Sequence, residues 1–315
     1  MSKPRILFMG TPEFAVPSLA ALVAHGYPVV GVVTQPDRPR GRGRETVPPP
    51  VKVFAEQHRL PVLQPQHATD DSFLTQFDAL SPDLVALTAF GQILPARVIA
   101  APRMGCINVH PSLLPRYRGA APINWAIIRG EEKTGLTIMQ MSEELDAGDI
   151  LLQRETPIGE TETYGELHDR LAVFGAELLL TAIGMIASGT ATRTKQDGAA
   201  ATYAPRLKKE DGLINWDTDV AAIVNLIRGL SPSPGAYTFI EGKKLKILTA
   251  RAEEARTAGK AGVIGYETEK GLPVYAKNGC VYLREVQLES KKRMAIREFL
   301  RGCPVQPGSV LGVSP

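Results

Sequence analysis

Cysteine is scarce in this chain: Cys106, Cys280 and Cys303 are the three in 315 residues. An odd, widely spaced set gives no disulfide framework and no metal-ligand pattern. A reducing cytoplasm is the simple expectation. Also missing is any run of about 18 apolar residues, so no membrane span is expected. The opening M-S-K-P-R-I-L-F-M-G lacks a signal-peptide layout, because its apolar run is short and reads as a first strand. No G-x-G-x-x-G follows that strand, so NAD or another dinucleotide is not expected. No G-x-S-x-G marks a nucleophilic serine. Internal repeats and low-complexity tracts are absent.

What is present is an ordinary globular composition, 44% hydrophobic and 22% charged, with length enough for two domains. The net charge of +3 is unevenly placed. Residues 206–315 hold 18 Lys and Arg against 12 Asp and Glu, while residues 1–205 hold 18 against 21. A basic C-terminal third suits a polyanionic partner, although a surplus of this size is common without one.

Strand and helix patterns alternate through the first part. Apolar runs at 5–10, 28–34, 60–63 and 83–88 read as strands, with helices at 12–25, 51–58, 70–80 and 95–101 between or after them. Thr69 or Asp70 is the expected cap of the third helix. Gln35–Pro50 breaks the pattern with Arg38, Arg40, Arg42 and Arg44, two glycines and five prolines. Neither a helix nor a paired strand is expected there. Arg forks match phosphates and stack on bases, so an exposed nucleic-acid-contacting loop is favoured over a solvated linker. Phe90, Gly91, Ile93 and Leu94 could form an apolar slot for a flat ring, or a helix start packed on the core.

The chain is organised around residues 105–122, G-C-I-N-V-H-P-S-L-L-P-R-Y-R-G-A-A-P. Cys106–Val109 reads as a buried strand, stopped by Pro111. Asn108 and His110, two apart, share a face. They lie at the carboxyl end of a strand, where open α/β sheets bind ligands. Such a pair is more often a core pair than a catalytic one. Asp146 in L-D-A-G-D strengthens the catalytic reading, since an Asp beside a His orients its ring. An amide, an imidazole and a carboxylate without a nucleophile fit direct attack of an amine on a bound carbonyl.

Beyond this stretch, a helix at 121–130 and strands at 134–141 and 150–156 follow. A helix at 163–188 opens on a Thr163–Glu166 capping box. Residues 189–212 read as a linker region. Asp217 is the expected cap of a helix at 218–230. Five strands can be drawn at 236–240, 244–250, 261–266, 272–276 and 279–288, with a closing helix at 294–301. Five short strands of this length suit a small OB-like barrel.

The stretches I-N-V-H-P-S-L-L-P-R-Y-R-G-A-A-P, T-G-L-T-I-M-Q-M and L-D-A-G-D resemble the 10-formyl-tetrahydrofolate-dependent formyltransferases. The opening I-L-F-M-G-T-P-E-F-A, the arginine stretch and the C-terminal extension are similar to the members of that family that act on an aminoacyl-tRNA. The resemblance runs over residues 3 to 300 or so. Some relatives carry Gly where this chain has Pro111, which alters loop stiffness and not the catalytic groups.

The resemblance implies a Rossmann-like catalytic domain at residues 1–189, a linker at 190–206 and an OB-like tRNA-binding domain at 207–315. It implies transfer of a formyl group from 10-formyl-tetrahydrofolate to initiator methionyl-tRNA for translation initiation, with no metal and no NAD. Asn108, His110 and Asp146 would be catalytic. Ser112, Leu113, Leu114 and Pro115, with the slot at Phe90, Gly91, Ile93 and Leu94, would contact folate. A cis Leu114–Pro115 peptide would help fold the loop over it. Arg38, Arg40, Arg42 and Arg44 would contact tRNA. The chain is expected to act as a cytoplasmic monomer. The alternatives are a formyltransferase for an amino sugar nucleotide or a ribonucleotide amine, and a tRNA-binding protein on a degenerate scaffold. The first needs no arginine loop, and the second needs no Asn108, His110 and Asp146.

Overall fold

Ile6–Gly10, apolar and without a polar face, forms β1, and all five of its residues are buried. A strand with no polar face needs cover on both sides, which parallel sheets receive from their crossover helices. The computed structural model describes residues 3–40, 45–255 and 259–312. After β1 come α1 (Val16–Ala24), β2 (Val29–Val33), β3 (Arg38–Arg40), β4 (Glu45–Val47), α2 (Pro50–Gln57) and β5 (Val62–Leu63). Then follow α3 (Asp71–Leu80), β6 (Leu84–Thr88), α4 (Ala96–Ala100), β7 (Cys106–His110), α5 (Pro122–Ile128), β8 (Lys133–Gln140), β9 (Ile150–Pro157) and α6 (Tyr164–Ser188). The remainder is α7 (Val220–Leu230), β10 (Ala236–Ile240), β11 (Lys243–Glu254), β12 (Leu272–Ala276), β13 (Gly279–Leu288), β14 (Met294–Ala295) and α8 (Ile296–Gly302).

The chain divides into two compact units. One comprises residues 1–120, 134–156 and 168–204, and the other residues 121–133, 157–167 and 205–315.

The first unit is built on a seven-stranded sheet in the order β5-β2-β1-β6-β7-β8-β9. The strands from β5 to β7 are parallel, and β8 runs antiparallel to β7. The chain winds outward from β1 through β2 to β5, then returns to β6 on the other side of β1. This reversal makes a crevice at the carboxyl ends of β1 and β6, the Rossmann-like place for a ligand. Proline in the first turn of α1 and α2 sits where no backbone donor is lost. Pro17 marks the true start of α1, and Glu13–Ala15 forms a separate 3-10 turn before it.

The second unit has an antiparallel, OB-like half-barrel sheet in the order β10-β11-β13-β12, with β14 paired to β13. Its core joins Val220, Ile223, Ile227 and Leu230 of α7 to Ile247, Val281, Leu283 and Val286 of the sheet. Burying side chains of this size stabilises by about 1.5–3 kcal/mol each.

Several local expectations are corrected. Arg38–Arg40 and Glu45–Val47 do pair, in register Arg38 with Val47 and Arg40 with Glu45. The β-branched Thr46 and Val47 favour that extended state. Residues 261–266 form no strand. Val263 and Ile264 make only isolated bridges, and Gly262 at φ 81° and Gly265 interrupt the run. Met294 and Ala295 pair with β13, so the closing helix begins at Ile296. Asp217 does not cap α7, which starts at Val220. The Val220 N–H is instead taken by Asn278 Oδ1 at 2.8 Å. Asp70 precedes α3 but turns its carboxylate back to the His67 N–H at 2.9 Å. The capping box of α6 is present, with Thr163 N donating to Glu166 Oε2 at 2.8 Å and Glu166 N to Thr163 Oγ1 at 3.4 Å. That helix is long and apolar enough to cross a membrane by length and composition alone. It buries Leu167, Leu171, Leu178, Leu179 and Ile183 completely.

Candidate active site

Strand β7 carries Asn108 and His110 to the edge of the sheet. The period of two sends both side chains to one face, and pairing fixes their register: Asn108 opposite Met139, His110 opposite Thr137. His110 is 4% exposed. Its Nε2 lies 3.0 Å from the Tyr117 carbonyl, and its Nδ1 lies 3.7 Å from Asp146 Oδ2. A carbonyl only accepts, so Nε2 carries a proton and donates. The Nδ1 separation exceeds a hydrogen bond. Nδ1 is therefore the nitrogen left for chemistry, and it faces the Asp146 carboxylate. Asn108 is half-buried, and among the described residues its side-chain amide makes no hydrogen bond.

Asp146 reaches the site from the loop between β8 and β9. Its φ of 49° is left-handed, a conformation that costs a non-glycine residue about 1–3 kcal/mol and persists only where its surroundings enforce it. Three contacts enforce it here. Gly119 N donates to Asp146 Oδ2 at 2.8 Å. Gln196 Nε2 donates to the carbonyl oxygens of Asp146 and Gly148, each at 2.8 Å. Gly148 lies so close to β8 that a Cβ would stand 1.7 Å from the Gln140 oxygen. L-D-A-G-D thus contains a glycine that nothing larger can replace.

The loop 111–119 is held from within. Thr137 Oγ1 donates to the Ser112 carbonyl at 2.7 Å and accepts from Leu114 N at 3.2 Å and Gln153 Nε2 at 2.8 Å. Gln153 also donates to the Leu114 carbonyl at 3.0 Å, and Ser112 Oγ to the Arg116 carbonyl at 2.6 Å. The Leu114–Pro115 peptide is cis. Ser112 and Leu114 are buried, and Leu113 and Pro115 half-buried. Most peptide groups of the Ser112–Pro115 stretch are therefore bonded to protein.

The apolar slot is not one surface. Phe90 and Leu94 belong to a core cluster with Leu7, Met9, Phe73 and Phe77. Gly91 is exposed, and Ile93 is 85% exposed. Phe90 still marks the crevice, since its carbonyl accepts from Thr11 Oγ1 at 3.0 Å and Gln35 Nε2 at 3.3 Å. Of the four arginines, Arg38 is exposed and donates to Gln35 Oε1 at 3.1 Å. Arg42 and Arg44 lie outside the described residues, as does the side chain of Arg40.

Sequence reasoning passes over Thr137, Gln153, Arg118 and Gln196. Thr137 is signalled only by its place opposite His110. Gln196 has no local signal, because it sits in a Gly-, Ala- and Thr-rich stretch. Burial raises the Cys106 thiol well above its ordinary range, so it serves packing. Among the described residues no group of three or more His, Cys, Asp and Glu could hold a metal ion.

A half-buried amide and a buried imidazole facing a carboxylate thus lie at the carboxyl edge of a Rossmann-like sheet. The family model described as formyl transferase matches residues 4–183, and that of the formyl transferase C-terminal domain matches residues 206–304. The chain belongs to the formyl transferase family. A relative called methionyl-tRNA formyltransferase, from Syntrophus aciditrophicus, is 57% identical over 312 residues, covering 99% of this chain and all of its own length. Solved structures share the fold at lower identity. The N-formyltransferase of Helicobacter canadensis, in complex with folinic acid and dTDP-3-aminofucose, is 18% identical over 93% of this chain and 100% of its own, with a TM-score of 0.65. Methionyl-tRNA formyltransferase from Clostridium thermocellum is 18% identical over 80% of this chain and 94% of its own, with a TM-score of 0.54.

Proposed function

We propose that Asn108, His110 and Asp146 carry the reaction of this enzyme, transfer of the formyl group of 10-formyl-tetrahydrofolate to the amino group of initiator methionyl-tRNA. The amine attacks the formyl carbon, and a C–N bond forms while negative charge moves to the formyl oxygen. The Asn108 amide and the His110 Nδ1–H donate to that oxygen, as the donors of an oxyanion hole do. Asp146 faces the ring and, through water, takes the proton the attacking nitrogen must lose. The oxyanion then re-forms the carbonyl, the bond to N10 of the folate breaks with its electron pair going to N10, and N10 takes up the proton that Asp146 returns through water. The observation that carries this assignment is the pairing of a free Asn108 amide with a His110 ring whose other nitrogen is already anchored on Tyr117.

Gly91, Ile93 and the Leu113–Pro115 loop border the folate in this reading. Because the loop's peptide groups are internally bonded, it supplies shape more than donors. Arg38, Arg40, Arg42 and Arg44 contact the acceptor end of the tRNA. A catalytic domain at 1–189, a linker at 190–206 and a basic domain at 207–315 divide the work, in a cytoplasmic monomer. The test supplies labelled 10-formyl-tetrahydrofolate with charged initiator tRNA or with an amino sugar nucleotide. Label should appear on the methionyl-tRNA. Label on the amino sugar alone, or on neither, overturns the assignment.

A further inference from the structure

Residues 194–204 lie over the catalytic loops as a strap. Thr194 and Ile150 exchange two backbone hydrogen bonds of 2.8 and 2.9 Å. Arg118 N donates to the Thr202 carbonyl at 2.8 Å, and Ala204 N to the Arg118 carbonyl at 2.7 Å. Inside this frame two long polar side chains, Arg118 and Gln196, are each only 8% exposed. Arg118 donates to Gln196 Oε1 through Nη2 at 2.8 Å and Nε at 3.2 Å. The same amide donates through Nε2 to the Asp146 and Gly148 carbonyls. Every polar atom of the Gln196 side chain is thus used, and the amide is locked in one orientation by a cation on one side and two carbonyls on the other.

We propose that Gln196 is a positioning residue for the formyl-transfer step, acting through Asp146. The inference rests on the catalytic reading of Asp146 given above. The loop residue carrying that carboxylate has a left-handed backbone, and Gln196 bonds its carbonyl directly. The side chain of Asp146 is fixed by Gly119 N, the residue after Arg118. Backbone and carboxylate are therefore tied to the same brace, one tie through Gln196 and the other through the Arg118–Gly119 segment. Loss of the Gln196 tie lets the carboxylate drift from its place 3.7 Å from His110 Nδ1, and small displacements of a catalytic group carry large rate costs.

Gln196→Glu separates positioning from packing. It keeps the size and an acceptor for Arg118, which then gains an ion pair, but it has no N–H for the two carbonyls and sets a negative oxygen against them. A merely structural role predicts a lowered melting temperature, since two buried carbonyls lose their donor, with the turnover of the folded enzyme unchanged. The positioning role predicts that, whatever the shift in melting temperature, kcat of the folded enzyme falls by about 10- to 100-fold, with KM for folate and for tRNA little changed. In an Asp146→Asn background Gln196→Glu should add almost nothing, because coupled residues do not add. Gln196→Met carries the same test if the Glu variant does not fold. Full kcat in a folded variant, or an equal further loss in the Asp146→Asn background, overturns the proposal. Full activity of Asp146→Asn alone instead removes the catalytic reading itself, and the proposal falls with it.

Discussion

Two segments of the first unit, both rich in arginine and proline, are built in opposite ways. In residues 110–119 nearly every turn of backbone is tied down. His110 O accepts from Ser112 N, Leu113 O from Arg116 N, Pro115 O from Thr202 N, and Tyr117 N donates to Thr202 Oγ1. The β3–β4 hairpin is instead anchored at its root. Gln35 N donates to Thr11 Oγ1, Gln64 Nε2 donates to Gln35 O and Asp37 Oδ1, and Lys52 pairs with Asp37 at 2.7 Å. Beyond the root, among the described residues, a three-pair ladder joins its strands. The difference matches the tasks proposed for them. A group that stabilises a transient oxyanion loses its worth if it moves by an ångström. A cationic side chain seeking a phosphate needs reach and charge more than a fixed place.

The sharpest way to break this comparison is at β7. His110→Ala should lower kcat by about 10² to 10⁴ if the ring is an acid–base group. Asn108→Ala should lower it by about 10² to 10³, the scale of one oxyanion donor. Folate affinity should barely move in either, as read by direct titration. Folded variants with wild-type turnover would remove β7 from the mechanism.

The next effect lies in the tied-down loop itself. Gly119 has φ of 118°, and a Cβ there would stand 2.7 Å from the Ala204 oxygen. Gly119→Ala should push the strap from the loop, destabilise the protein by about 1–3 kcal/mol and pull the N–H away from Asp146. We expect kcat to fall by about tenfold or more, checked by rate and thermal melt together. A loss of stability with kcat intact would show that Asp146 does not depend on this donor.

How much of this was legible follows from the range of each signal. Asn108 and His110 could be read because strand period and the stop at Pro111 are local. Asp146 could be proposed from L-D-A-G-D, but its left-handed backbone depends on Gln196, 50 residues away. Gln196 in turn depends on Arg118, 78 residues away. The cap of α7 is missed for the same reason, since Asn278 lies 58 residues from Val220. The pairing of β3 with β4 is hidden differently, because proline and arginine composition outweighs the short β-branched pair Thr46 and Val47. Between β11 and β12, apolar residues at 263 and 264 promise a strand, and neighbouring glycines limit it to bridges. The first sheet is legible because buried parallel strands are continuous apolar runs.

The hairpin side of the comparison is sharpened by Arg42. Removing one phosphate contact should weaken tRNA binding and reduce the salt slope by about one unit. Arg42→Ala should therefore damage formylation of methionyl-tRNA while leaving folate affinity unchanged, and Arg42→Lys should restore it only in part, because Lys lacks the planar fork. Initial rates against tRNA concentration at two salt concentrations decide this. An unchanged slope would make the hairpin a structural feature and leave tRNA recognition to other surfaces.

The smallest effect is expected at the hairpin root, and its sign can be worked out in advance. The hydrogen bond from Lys52, with that from Gln64, holds the Asp37 carboxyl below the usual carboxylate range, against a smaller opposing cost of burial. A carboxylate with a depressed folded pKa stabilises the fold above its unfolded value, about 3.9, and that contribution is lost as pH falls through the folded value. Asp37→Asn should therefore lower the melting temperature slightly at pH 7, and the gap from wild type should close in acid, below about pH 4. Because the root carries no catalytic group, kcat at saturating tRNA should not change, and KM for tRNA should rise modestly as the strands bearing Arg38 and Arg40 lose their footing. A gap that persists in acid would mean that Asp37 acts through shape and not charge. A fall in kcat as well would erase the distinction drawn here between a segment fixed for chemistry and one rooted for reach.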